Sequence, residues 1–201
     1  MDAIETLMNE HRTIEAVLDA LVGFAEDAVR RGATEKEELA RFVAFVREFA
    51  DAFHHGKEED ILFAAMVEAG FPRNGGPIAV MLHEHDQGRA LVGILKARAE
   101  QAGPWSDADR QEIAEVSRGF SQMLHAHIHK EDAILYPMAE QHLAPEVMER
   151  VVEECERYEA ARLGNHERLH TLAEDLVRRH ALAAHPTSSP SAQRFGCCGS
   201  D

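Results

Sequence analysis

The stretch His54-His55-Gly56-Lys57-Glu58-Glu59-Asp60-Ile61-Leu62-Phe63 decides how this chain folds. It joins ligand-type side chains to an apolar run, and helical phase says which of them turn inward. Going back from His54 by three or four residues meets Ala50, Val46 and Val43, and going forward from Glu58 meets Ile61, Leu62 and Ala65. The same walk from His55 meets Asp51 and Glu48. Residues three and four apart share a helix face. His54 and Glu58 are therefore expected inside, and His55 and Glu59 outside on a solvated face.

The stretch has an echo. His127, Glu131, Ile134, Leu135 and Tyr136 repeat His54, Glu58, Ile61, Leu62 and Phe63 at a constant offset of 73. Upstream, Glu10-His11 is echoed by Glu84-His85, with Ala16, Val17 and Leu21 falling on Ala90, Leu91 and Leu95. Each half thus supplies one His on its first helix and His-x-x-x-Glu on its second. The phase test favours His127, which lies with Phe120, Met123, Leu124, Ile134 and Leu135, over His125 and His129, which lie with Gln122 and Asp132. It favours His85, beside Ile78, Met81, Leu82 and Val92, over His83. His11 shares a stripe with Ile4, Leu7, Met8, Ile14 and Leu18.

Outward from these motifs the pattern is helical throughout, with apolar residues at three and four spacing and no sustained alternation. A first helix runs from about Asp2 to Arg30 and stops at Gly32; Thr34 with Glu37 reads as a capping box for a second, which reaches about Glu68. Gly70 to Pro77 is a breaker. A third helix starts near Pro77 or Ile78 and ends before Gly103-Pro104; Ser106 or Asp107 caps a fourth, which runs to about His142. Pro145 opens a fifth, ending near Ala184. The expected class is all-α, an antiparallel four-helix bundle over 1–142 with an additional C-terminal helix over 143–184. The fifth helix is expected to pack outside the bundle or to contact a protein partner. Residues 185–201, rich in Ser, Pro, Gly and Ala, are expected to form a mobile tail.

Composition narrows the function. With 201 residues, 45% hydrophobic and 28% charged, this is one globular domain's worth of chain. The net charge of −15 argues against nucleic acid or anionic membrane as the partner. There is no apolar run long enough to span a membrane, and the acidic start Met1-Asp2-Ala3-Ile4-Glu5 is unlike a signal peptide, so the cytoplasm is the expected compartment. Three cysteines, Cys155, Cys197 and Cys198, give no disulfide framework. The 13 histidines are the unusual feature.

Four histidines and two glutamates project from apolar stripes. A buried charged Glu is costly unless paired or coordinated, and six such groups in matched halves point to a metal centre at His11, His54, Glu58, His85, His127 and Glu131. An i, i+4 pair brings two ligands to one helix face, about 5–6 Å apart at Cβ. Imidazole with carboxylate suits Fe, Mn or Zn rather than Cu(I), Ca or Mg. Two glutamates bridging would hold two ions roughly 3.5–4 Å apart. Two divalent ions keep a positive surplus over two carboxylates, which favours O2-derived anions, and open positions would remain for oxo, hydroxo or a diatomic ligand.

With these motifs on the page, residues 1 to about 142 resemble the hemerythrin-like (HHE cation-binding) domains. The resemblance rests on Glu10-His11, His54-x-x-x-Glu58 with Leu62-Phe63, Glu84-His85-Asp86, and His127-x-x-x-Glu131 with Leu135-Tyr136-Pro137. It implies a bundle around a non-heme di-iron site, two Fe ions with an oxo or hydroxo bridge, with Mn or Zn as alternatives. Oxygen-carrying hemerythrins use His-x-x-x-His on the third helix and His-x-x-x-x-Asp on the fourth. Here position 89 is Arg, and Asp132 is expected to turn toward the polar face. The ligand set is more similar to the iron-sulfur-cluster repair and nitric-oxide-responsive members, although these 201 residues carry no N-terminal cysteine-containing domain of the kind repair members often have. The expected function is to bind or react with O2, NO or peroxide. The alternatives are an iron sensor or iron donor with negligible turnover, and a helical interaction module holding an incidental Zn.

The remaining polar residues receive plainer expectations. Glu10 and Glu84 are expected at the surface, Glu15 in an outer role or in solvent, and Tyr136 in packing with a hydrogen bond as the lesser role. His166 and His170 are expected in solvent, Cys155 as a small packed residue, and Cys197-Cys198 as incidental thiols or a weak auxiliary site.

Overall fold

A computed structural model describes residues 3–180. Six helices follow one another. The first, α1, is Ala3–Arg31. The second, α2, is continuous over 36–68: an α-helical Lys36–Phe45, wider i→i+5 turns over Val46–His55 and Glu58–Leu62, and an α-helical Phe63–Glu68. Then come α3, Gly76–Glu100, and α4 over 107–142, with one wide segment at Glu131–Leu135. Two accessory helices follow, α5 at Pro145–Ala160 and α6 at Leu163–His180. The chain expected as one fifth helix is thus interrupted at residues 161–162. The expected tail at 185–201, with Cys197 and Cys198, lies outside the described residues.

The core explains the antiparallel order. Its apolar residues fall into two clusters. One contains Ile4, Leu7, Leu62, Phe63, Ile78, Met81, Leu135 and Tyr136; the other contains Ile14 to Phe24, Phe42 to Phe53, Val92, Leu95 and Ile113 to Ile128. Along α1 the chain passes from the first cluster to the second, along α2 back again, and α3 and α4 repeat the alternation. Between the clusters lies one polar layer: His11, His54, Glu58, His85, His127 and Glu131, each no more than 1% exposed.

The ends follow local chemistry, with one exception. Gly32 takes φ +64, and the Ala33 amide donates to the Ala28 carbonyl at 3.0 Å, closing α1 as an achiral residue allows. Ser106 caps α4 as expected: its Oγ accepts from the Asp109 amide at 3.1 Å while Asp109 Oδ2 accepts from the Ser106 amide at 2.8 Å. The Thr34 capping box does not form. Glu35 holds the cap position without a side-chain bond, and Thr34 Oγ1 instead accepts from the Trp105 amide at 3.1 Å, tying two loops together at one end of the bundle. A tertiary donor has displaced a local one.

The accessory helices make the two halves unequal. Leu169, Ala173 and Leu176 of α6 join the second cluster beside α1 and α2, while Val151 and Cys155 of α5 join the first. Ile61 is 7% exposed beneath this cover, whereas its counterpart Ile134, expected inside, is 52% exposed because among the described residues no accessory helix lies over it. Met8, expected on the inner stripe, is likewise exposed. Among the described residues no helix is long and apolar enough to cross a membrane.

Candidate metal centre

Wide turns occur where the candidate ligands sit. Val46–His55 ends on His54 and His55, and the segments Glu58–Leu62 and Glu131–Leu135 each begin on an inward glutamate. Such turns are rare and cluster at functional sites. They also correct one expectation. With i→i+5 bonding each residue advances less around the axis, so His55 faces inward beside His54. It is 7% exposed and stacks on His85 with ring centroids 3.8 Å apart.

All six predicted residues converge. His11 Nε2 lies 3.3 Å from Glu131 Oε2, and His127 Nε2 lies 3.2 Å from Glu131 Oε1. His54 Nε2 and His85 Nε2 are each 3.6 Å from Glu58 Oε2, and His85 Nε2 is 3.0 Å from His127 Nε2. Glu131 thus offers one oxygen to each half, whereas Glu58 offers a single oxygen to both. Ligand atoms of His11, His54, Glu58 and Glu131 lie within 4.8 Å of one another, as do those of His55, His85 and His127.

A shell of carboxylates surrounds them. Each imidazole Nδ1 donates to a carboxylate: His11 to Asp132 at 2.7 Å, His54 to Glu10 at 2.8 Å, His85 to Glu59 at 2.7 Å and His127 to Glu84 at 2.9 Å. A carboxylate only accepts, so in the neutral imidazole these bonds put the hydrogen on Nδ1 and leave a lone pair on Nε2 facing the centre, the form that binds a metal. The four partners were expected on polar faces; Glu10 is in fact 5% exposed, and Glu59, Glu84 and Asp132 are half-buried. The signal that finds them is the repeat itself. Glu10 and Glu84 precede the first-helix histidines at the offset of 74 that relates His11 to His85, and Glu59 and Asp132 follow the inward glutamates at the offset of 73. Read one helix at a time they look solvated. The neighbouring helix supplies the histidine that turns them inward.

Tyr136 also departs from its expected packing role: its hydroxyl donates to Glu58 Oε1 at 2.7 Å and lies 3.4 Å from His11 Nε2. Phe63 holds the counterpart position, so Glu131 has no such donor. Glu15 turns away to Arg12 and His125, and Arg89 reaches Asp51, Glu59 and Asp86. His166 and His170, expected in solvent, are half-buried; His166 packs on Phe53 at 4.8 Å and His170 on Phe49 at 5.2 Å. Cys155 is packed as expected, and burial pushes its thiol up to about 11.

The donor set fits a cation. Glu58 Oε2 and both oxygens of Glu131 are buried with no hydrogen-bond partner, and the inward lone pairs of the histidines face them. Acceptors facing acceptors in a dry core are costly unless a proton or a metal ion lies between them. The titration preferences show the same tension. Burial and the charge of Glu131 push Glu58 well above the usual carboxylate range, whereas His127 and His11 outweigh burial and hold Glu131 well below it. Burial would lower His11, yet its bond to Asp132 and the negative charge of Glu131 hold it at about 9, so in the absence of a cation a proton takes the place between His11 and Glu131. Burial and the nearby His11 charge keep His54 neutral. A cavity of about 250 Å³ reaches this layer at His55 and His85, walled mainly by Val46, Ala50, Val92, Phe120 and Leu124.

A helical bundle with a His/carboxylate layer at mid-depth is a cation-binding bundle of the hemerythrin type. The profile of the hemerythrin HHE cation binding domain matches residues 2–139, and the chain belongs to that family. Among curated proteins, an iron-sulfur cluster repair protein YtfE of Musicola paradisiaca (strain Ech703) is 37% identical over 90 residues, covering 43% of this chain and 40% of the relative. The YtfE of Salmonella newport (strain SL254) gives the same identity and coverage. An uncharacterized protein, Rv1995 of Mycobacterium tuberculosis, is 24% identical over 139 residues, covering 67% of this chain and 52% of the relative. The chain therefore spans about half, or less, of the length of these relatives. No solved structure gives a significant match.

Proposed function

We propose that the chain is a non-heme di-iron protein that binds or reacts with O2, NO or peroxide. His11, His54, His85 and His127 would hold the ions through nitrogen, and Glu58 and Glu131, which face both halves, through oxygen. The observation that carries this reading is the set of three buried carboxylate oxygens without partners facing four imidazoles whose Nδ1 atoms are already engaged. When bound, paired iron supplies one-electron chemistry and open positions for a small ligand. The protein contributes the rest. Asp132, Glu10, Glu59 and Glu84 fix each ring and raise its basicity as a ligand. The two apolar clusters exclude bulk water on either side. Tyr136 holds a proton 2.7 Å from Glu58, and burial keeps that hydroxyl protonated. The cavity at His55 and His85 gives a diatomic or a peroxide room to arrive.

Iron analysis with visible and near-ultraviolet spectra of anaerobically purified protein, before and after O2 or NO, tests the reading. Two irons per chain and charge-transfer absorption that responds to either gas are expected. Less than one iron per chain, or spectra indifferent to both gases, overturns it. The similarity to cluster repair proteins favours a second reading, an iron donor for iron-sulfur cluster repair in the cytoplasm with negligible turnover. Steady-state consumption of NO or peroxide supports the first reading. Iron transfer to a cluster-free acceptor protein without such consumption supports the second.

A further inference from the structure

Lys57 is the most deeply buried lysine among the described residues, its side chain 1% exposed, and the di-iron reading gives it no task. Its ammonium lies between two carboxylates, Glu10 Oε1 at 2.5 Å and Glu159 Oε1 at 2.6 Å. The other oxygen of Glu10 accepts from His54 Nδ1 at 2.8 Å. A line of charge-assisted bonds therefore runs from α5, at the molecular surface, to one candidate ligand.

Two further contacts seat α5 on the wide-turn segment that carries His54. The Tyr158 hydroxyl donates to the Ala52 carbonyl at 2.6 Å. The same hydroxyl approaches Gly56 so closely that a Cβ there would stand 2.2 Å from it. Any side chain at position 56 would have to push the Tyr158 hydroxyl off this seat. The pseudo-equivalent half has no such arrangement. Lys130 reaches Glu84, and Glu84 reaches His127, but the Lys130 side chain is 34% exposed and pairs with no second carboxylate among the described residues. His129, at the position equivalent to Gly56, is exposed.

We infer that α5 is a positioning element for the His54 side of the centre, acting through Glu159, Lys57 and Glu10. Its bearing on iron rests on the di-iron reading. Glu159 confines the Lys57 ammonium, the ammonium fixes one oxygen of Glu10, and Glu10 is thereby held square to the His54 ring. Shifting α5 loosens His54 while leaving His127 untouched. The two ions are consequently held with unequal strength, and the accessory helix is the handle by which a change at the surface reaches one of them.

The test uses the full chain and the variant Glu159→Gln, which keeps the shape and removes the charge at a position one-third exposed. In metal-free protein labelled at the imidazole nitrogens, the His54 Nδ1–H resonance, assigned by its loss in His54→Gln, is expected to move in Glu159→Gln. It should stay fixed in Glu153→Gln on the same helix. In iron-loaded protein, release to a ferrous chelator is expected in two phases. One phase should accelerate about three- to tenfold in Glu159→Gln, less than the ~10–100-fold typical when a direct ligand partner is lost. Lys130→Met should change the other phase instead. An unmoved His54 resonance overturns the relay whatever the iron content. A moved resonance with both release phases unchanged overturns its bearing on the ion. Failure of the wild-type chain to take up two irons overturns the di-iron reading, and the resonance still decides the relay.

Discussion

Replacing Glu58 by Gln should make the metal-free protein more stable and the iron-treated protein less so. In the metal-free core Glu58 Oε2 is buried without a hydrogen-bond partner, 3.6 Å from the inward nitrogens of His54 and His85, and burial with the charge of Glu131 pushes its carboxyl well above the usual range. Leaving a buried polar group unsatisfied costs about 1–3 kcal/mol. A Gln amide keeps the volume, removes the charge and offers a donor to one of those nitrogens, a hydrogen bond worth about 1 kcal/mol. The amide oxygen can keep the bond from Tyr136. A net gain of roughly 1–3 kcal/mol remains, and at about 2–4 °C per kcal/mol for a chain of this size it appears directly in a melt. Iron should reverse the order. A ligand at about 100 times its Kd adds ~2.7 kcal/mol to the native state, and the variant should forfeit that increment. Thermal unfolding by circular dichroism, with chelator and with ferrous iron under anaerobic conditions, measures both quantities. A metal-free variant destabilised by more than about 1 kcal/mol, or one that keeps the full iron-dependent shift, refutes the reasoning.

Other outcomes follow from the same geometry. Asp132→Asn should weaken iron binding about 10–100-fold by releasing the His11 ring, with little effect on fold, as equilibrium dialysis against a chelator would show. Tyr136→Phe removes the donor to Glu58 Oε1 and leaves a fourth glutamate oxygen of the layer without a partner, and should cost the metal-free protein about 1–3 kcal/mol in urea unfolding. Ser106→Ala deletes the cap of α4 and should cost about 0.5–2 kcal/mol by the same measurement. Stability should also fall in acid. Burial raises Asp51, but bonds to His55 and Arg89 outweigh it and hold the carboxyl at about 2; bonds from Ser106 and Gln101 hold Asp109 at about 2 as well. Both lie below the ordinary 3.8, so the stability they confer is complete above that value and lost as pH falls toward 2. A melt series between pH 5 and pH 2, compared with Asp51→Asn, should show a shallower decline in the variant.

The sequence by itself determined the four helices of the bundle, their order and the six groups of the inner layer, but not the break that divides the C-terminal helix at residues 161–162. Helical phase and an internal repeat are properties of one strand of text, and a buried glutamate on an apolar stripe has few reasons to exist. Tertiary structure decided what surrounds that layer. Glu10, Glu59, Glu84 and Asp132 look solvated on their own helices and become inward-turned acceptors, buried for Glu10 and half-buried for the others, only because a histidine on another helix faces them. His55 turned inward because wide turns replaced the ideal helical pitch, a change that no periodicity announces. Thr34 gave up its local cap to a distant amide, and Ile61 and Ile134 met different fates because α5 covers only one half. Local phase fixes which face a residue takes; what that face meets depends on chain far away in sequence.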